Sequence, residues 1–218
     1  MKGLLIKDIR LLKNQKHFFL IVGLVGAMLM FTSEEPSFVI SYMTFVFSMF
    51  TLSSVSYDEY DNGMAFLFSL PISRKKYVRE KYLFGLLLGG TAWTVATAVV
   101  SAYVMWKNQD TDWTSWLATA CIYLALFLVF LLIILPIQLK FGAEKGRIAM
   151  LVAIGIIFLS AYAGVKIAGR IGIDIDAVLM RFTTAGTGEI VAASAVVCCV
   201  LAVISYNISL GIMKKKQF

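Results

Sequence analysis

The chain reads as an all-α integral membrane protein with six transmembrane helices and an N-terminal interfacial helix. Three observations predict that class. Six apolar runs are separated by short charged breaks. Hydrophobic residues make up 60% of the 218 positions and the mean hydropathy is +0.83, whereas soluble domains hold about 45–50% apolar residues. Finally, 16 of the 20 Lys and Arg residues fall in alternate breaks.

The run lengths justify each helix in turn. A helix rises about 1.5 Å per residue, so about 20 apolar residues cross a hydrocarbon core about 30 Å thick. Phe38–Tyr57, Leu83–Trp106, Ser115–Ile137 and Ile190–Met213 are 20 to 24 residues long and cross unaided. Ile148–Val165 is a shorter fifth run. The first run, Phe18–Phe31, has 14 residues and crosses if Lys16 and His17 snorkel and the bilayer thins locally. It lacks the short n-region and small-residue cleavage site of a signal peptide. Ahead of it, Leu5, Ile9 and Leu12 repeat at i, i+4, i+7, while Lys2, Lys7, Asp8, Lys13 and Lys16 take other angles. That pattern predicts an amphipathic helix over 1–16 lying in the cytoplasmic interface.

The charge distribution orients the bundle. The 16 Lys and Arg residues lie in 1–17, 58–82, 138–147 and 214–218, and the other four in 107–114 and 166–189. Positive charge resists translocation, so both termini are expected in the cytoplasm and the 107–114 and 166–189 breaks outside. The net charge of +7 is therefore a topology signal and a contact for lipid headgroups, not a nucleic-acid footprint. Cys121, Cys198 and Cys199 all lie inside apolar runs, where cysteine serves as a small hydrophobe without a disulfide or metal role.

Groups for catalysis are missing. No HExxH, GxSxG or CxxC motif occurs, and the lone His17 sits at a membrane edge. Gly142-Ala143-Glu144-Lys145-Gly146-Arg147 lacks Walker A spacing, so no catalytic, metal or nucleotide site is expected. The apolar runs also carry no internal Asp, Glu, Lys, Arg or His. Ion-coupled carriers place such groups or broken helices at mid-membrane, so energy for vectorial work would have to come from outside the chain.

Polar side chains concentrate in two places. Ser41, Thr44, Ser48 and Thr51 form a stripe along the second run. Small hydroxyl residues favour close helix packing, and the same stripe would suit one wall of a translocation path or a dimer interface. The third run carries Gly85-Leu86-Leu87-Leu88-Gly89, a GxxxG, and Pro136 is expected to end or bend the fourth. The second place is the 58–82 break. Asp58, Glu59 and Asp61 lead to Asn62-Gly63, where glycine allows a turn with positive φ. Met64–Leu70 is too short to cross, Leu70-Pro71 breaks it, and Ser73 can cap a helix from Arg74. A short interfacial helix results, placed where a soluble partner could grip it.

At this loop the chain resembles the small ABC-2 type permeases, the membrane subunits of bacterial ABC exporters. The resemblance rests on Met1-Lys2-Gly3-Leu4-Leu5-Ile6-Lys7-Asp8, the acidic turn at Asn62-Gly63, and Ser69-Leu70-Pro71-Ile72-Ser73-Arg74-Lys75-Lys76-Tyr77. Lys81-Tyr82 and Phe141–Arg147 extend it over nearly the whole length. It implies a single permease domain over 1–218, with an interfacial segment 1–16, a cytoplasmic coupling segment 58–82 and an extracellular loop 168–188. It also implies an ABC ATPase partner in two copies, which would hold ATP and Mg. A second permease copy or a homologous permease would complete the assembly in the bacterial plasma membrane. Asp58, Glu59, Asn62, Gly63, Phe66, Leu67, Pro71, Arg74 and Lys75 would then couple to the ATPase. Similar permeases serve exporters of amphipathic or antimicrobial peptides, including the phenol-soluble modulin type. A non-transporting scaffold or immunity protein is the alternative, and it leaves the structured loop unexplained.

Overall fold

In a computed structural model, residues 2–33, 35–107, 112–170 and 186–216 are described, and every regular element among them is helical. Positions 108–111 and 171–185, and the last two residues, lie outside the described set. The expected extracellular loop falls largely there.

Helix α1 (Lys2–Asn14) meets α2 (Lys16–Thr32) at a 65° bend. The elbow is pinned where Gln15 Nε2 donates to the Tyr57 hydroxyl at 2.7 Å, close to the end of α3. Helix α2 has 17 residues, roughly 25 Å of length, and buries only Val22 and Gly26, the latter against Met43. Its remaining face, with Leu20, Leu24 and Met28, is exposed. In α1 the buried face is Leu4 and Asp8, not the predicted apolar stripe, and Ile9 stays exposed. Asp8 was expected among the outward charges. Ion pairing turns it inward.

Helix α3 (Phe38–Glu59) lies between α2, α5 and α6. Helix α5 (Arg74–Trp106) has 33 residues, roughly 50 Å, so its first turns to Tyr82 precede the apolar run and project beyond the hydrocarbon core. Ser73 caps it, accepting from Lys76 N at 3.3 Å. The GxxxG glycines face α6 of the same chain: a Cβ at Gly85 would meet Leu131, and one at Gly89 would come within 2.1 Å of the Phe127 ring. The motif therefore closes an internal seam. Trp93 Nε1 and Trp116 Nε1 add α5–α6 bonds to Ala120 O at 2.8 Å and Ser101 Oγ at 2.9 Å.

Helix α6 (Trp113–Arg170) runs through Pro136 and breaks later, at Gly142, where φ is 73° and ψ is −171°. This corrects the expected break at Pro136. A Cβ at Gly142 would also meet Glu59 Oε2 at 2.6 Å, so glycine is required twice over. Helix α7 (Thr187–Lys215) returns along α6 and α5. Tyr82 joins them, its hydroxyl 2.8 Å from Ser209 Oγ, while Ser205 donates to Leu132 O. Four segments are long and apolar enough to cross: Phe38–Glu59, Arg74–Trp106, Trp113–Gly142 and Gly188–Lys215. The bent α1–α2 pair makes a fifth, and residues 143–170 are helical without joining that set.

Gly142→Ala should destabilise the purified protein by about 1–3 kcal/mol, because this backbone region is nearly closed to other residues. Gly155→Ala has open space and should be neutral or slightly stabilising. Equal thermal unfolding of the two variants would contradict the strained break.

Candidate functional site

The charges missing from the spans gather where α1 meets the end of α3 and the start of α5. Lys81, on α5, directs its ammonium to Asp8 Oδ2 at 2.6 Å, Ser54 Oγ at 2.6 Å and Asp58 Oδ2 at 2.8 Å. It thus binds α1, α3 and α5 at one point. Lys7 closes the cluster from α1, pairing with Asp58 Oδ1 and lying 3.2 Å from Asp8 Oδ1. The Tyr77 hydroxyl donates to Asp58 Oδ2 at 3.1 Å. Asp8, Glu80 and Lys81 are fully buried.

Taking such charges from water costs several kcal/mol each, so the cluster stands only because its partners are close and paired. Burial alone would push the Asp8 carboxyl up, but the Lys81 and then the Lys7 ammonium hold it below its ordinary value. Burial alone would likewise lower Lys81, yet the Asp58 and then the Asp8 carboxylate outweigh it and keep the ammonium charged. Glu80 differs. Burial and the Asp8 carboxylate, against the attraction of Lys81, push its carboxyl up to about 8.

A second set of contacts lies next to the first. Lys216 Nζ reaches Glu59 Oε1 at 2.6 Å and Leu139 O at 3.1 Å, tying the chain's end to α3 and to α6 near the Gly142 break. Gln138 Nε2 donates to Ser56 Oγ at 2.9 Å. Arg74 Nη1 donates to Lys214 O at 2.6 Å.

Between the two sets emerges the short helix α4 (Gly63–Ser69). The left-handed residue of its turn is Asn62, with φ 59°, and Gly63 itself is helical. The expectation placed positive φ on the glycine. Asn tolerates that conformation, while Gly63 is needed because a Cβ would lie 2.7 Å from Asp58 O. Met64 and Leu67 are buried with Leu4, Val55 and Tyr77, whereas Phe66 is 71% exposed. Pro71 and Lys75 are also exposed. Asp58 and Leu67, expected at a partner's surface, are thus occupied within the chain, and Glu59 and Arg74 make internal contacts too.

The hydroxyl stripe is turned inward as well. Ser41 is half-buried, and Thr44, Ser48 and Thr51 are buried. Thr44 donates to Ile40 O at 2.7 Å and Ser48 to Phe45 O at 2.6 Å, and the Thr51 methyl faces Gly85. Thr44, Ser48 and Thr51 are thus covered by packing within the chain, with the Thr51 hydroxyl buried and without a hydrogen-bond partner. Sequence reasoning missed Lys7, Asp8, Ser54, Tyr77, Glu80 and Lys81 as one site. The available signal was the i, i+4 spacing of Leu4 and Asp8, which puts a carboxylate on the same helix face as an apolar residue.

These features define a multi-pass helical membrane protein whose charged residues organise one end of the helix bundle. The family described as ABC-2 family transporter protein matches residues 3–214, and the chain belongs to it. No curated protein and no solved structure matches. Members are transmembrane, non-catalytic components of transport systems and normally work with an ABC ATPase.

Lys81→Met should destabilise the protein by about 3–5 kcal/mol, since two carboxylates lose their shared ammonium. Combining it with Asp8→Asn should cost less than the sum of the single changes by about 1 kcal/mol or more. Additive losses in unfolding would mean that Lys81 and Asp8 do not act as a pair.

Proposed function

We propose that the chain is the six-span permease subunit of an ATP-driven bacterial exporter, with α4 as the helix that couples it to a separate ATPase. One observation carries this reading: α4 is anchored inside the protein through Met64 and Leu67 while it presents Phe66 outward. Force applied at Phe66 passes through α4 into the α3 and α5 ends that flank it. A solvated loop would not need the Asn62 turn, the Leu70-Pro71 break and the Ser73 cap that hold α4 in place. The distribution of 16 of the 20 Lys and Arg residues supports cytoplasmic termini on the same side as α4. In this reading two permease copies stand over two ATPase copies, and ATP and Mg belong to the ATPase.

The substrate class we propose is amphipathic or hydrophobic, and peptidic. Supporting it, a groove of about 370 Å³ between α2, α3 and α5 is lined by Gly26, Met43, Phe47, Thr91, Val95 and Val99. Its one hydroxyl, Thr91, is already bonded to Leu88 O at 3.0 Å. A strongly charged cargo would find no partner there, and its desolvation would be uncompensated.

Phe66→Ala should leave the permease as stable as the parent and strip the ATPase from it during purification, because a few apolar anchors dominate most interfaces. Leu67→Ala should instead destabilise the permease itself by about 2–5 kcal/mol. Full ATPase retention and transport in Phe66→Ala would move the docking site elsewhere. A permease that never recruits an ATPase would favour the scaffold.

A further inference from the structure

The cluster contains one group that its ion pairs leave over. Lys7 and Lys81 supply two positive charges, and Asp8 and Asp58 supply two negative ones. Glu80 is a third carboxyl in the same buried volume, and its nearest cation contact is Lys81 Nζ at a loose 3.8 Å. Both Glu80 oxygens are buried without a hydrogen-bond partner. So is Asp8 Oδ1, whose approach to Lys7 is an ion pair without hydrogen-bond geometry. Buried orphan acceptors are rare, and three of them on two facing carboxyls ask for a common explanation. One proton pairs two of the three, a Glu80 oxygen with Asp8 Oδ1.

We propose that Glu80 is a proton-binding site, its neutral carboxyl donating a hydrogen bond to Asp8 Oδ1 and so fastening the interfacial helix α1 to α5. The proton satisfies an orphan oxygen on each partner and leaves the cluster with no net charge. Like-charged carboxyls in one buried site cannot both ionise cheaply, which places the proton on the one without a good cation. That is Glu80, because Lys81 is already committed to Asp8, Asp58 and Ser54. The groups acting on Glu80 are Lys7 and Asp8 from α1 and Lys81 from α5, with Tyr77 of α5 also within its field and Asp58 of α3 held on Lys7 and Lys81.

Losing this proton would set a third carboxylate against Asp8. Asp8 is one of only two buried residues of α1, so α1 would be the element that loosens. The sign follows from Glu80 lying above its ordinary 4.5 in the fold. Its contribution is complete below that value and is lost as pH rises through about 8. Asp8 titrates oppositely, its contribution being lost on acidification, so the two groups act at opposite ends of the range. The inference concerns the permease alone and holds whether or not an ATPase docks at α4.

The test is infrared titration of the purified permease in nanodiscs, with thermal unfolding followed across the same pH series. The parent should show a protonated carboxyl band that disappears as pH rises, together with a falling unfolding temperature. Glu80→Gln keeps the donor and the neutral charge, so it should lose the band and flatten the alkaline side of the profile. Glu80→Asp retains an acid and should shift the band instead of removing it, which keeps the assignment testable if Glu80→Gln folds poorly. A parent with no protonated carboxyl at neutral pH would overturn the proposal. So would an alkaline profile that Glu80→Gln leaves unchanged.

Discussion

The Lys81 ammonium is the constraint on which the charged end of this helix bundle depends. Its three close contacts, Asp8 from α1 and Ser54 and Asp58 from α3, tie two helices to α5 at one atom. Helix α1 has Leu4 as its single buried apolar residue. An amphipathic helix held by lipid alone would be free to slide and rotate in the interface. Ion pairing through Lys7 and Asp8 gives α1 a fixed register on α3 and α5 instead. The same cluster positions Asp58, whose carbonyl oxygen lies against Gly63 and so sets where α4 begins.

The membrane-embedded part is built on a different principle. Close backbone approach at Gly85 and Gly89 lets α5 meet Leu131 and Phe127 of α6, and indole donors seal the opposite end. Dispersion forces and small residues are what bilayer packing has available, since lipid tails are as apolar as the side chains. Ionic contacts dominate only where α5 extends beyond the hydrocarbon core. The protein thus has a polar anchor at one end and a tight apolar seam along its length. The Gly142 break, with Glu59 and Lys216 beside it, joins the anchor region to α6.

Much of this could be read from residues alone. Run length and spacing placed the long helices, and Ser73 and Pro71 marked the start of α5 to the residue. The turn residue was misplaced by one position, because glycine was credited with positive φ when its missing Cβ was needed for the Asp58 carbonyl. Pro136 was credited with a break that Gly142 makes, since a proline bond can be lost near a helix end while a positive φ cannot be avoided. The cluster was invisible because its partners lie 73, 51 and 27 residues apart in sequence. A buried ion pair looks, in one dimension, like ordinary solvated charge. The hydroxyl stripe was ambiguous for a related reason: periodicity reports that residues share a face, never what covers it.

The central claim is that buried charge pairing fixes α1 on α5 as one body. The most direct test is the distance distribution between spin labels at Arg10 and Arg79, both exposed, measured in nanodiscs with Cys121, Cys198 and Cys199 replaced by alanine. The account predicts one narrow distribution in the parent and a broad one once Asp8 is replaced by asparagine. A parent distribution that is already broad, or one that Asp8→Asn leaves narrow and unmoved, would contradict it.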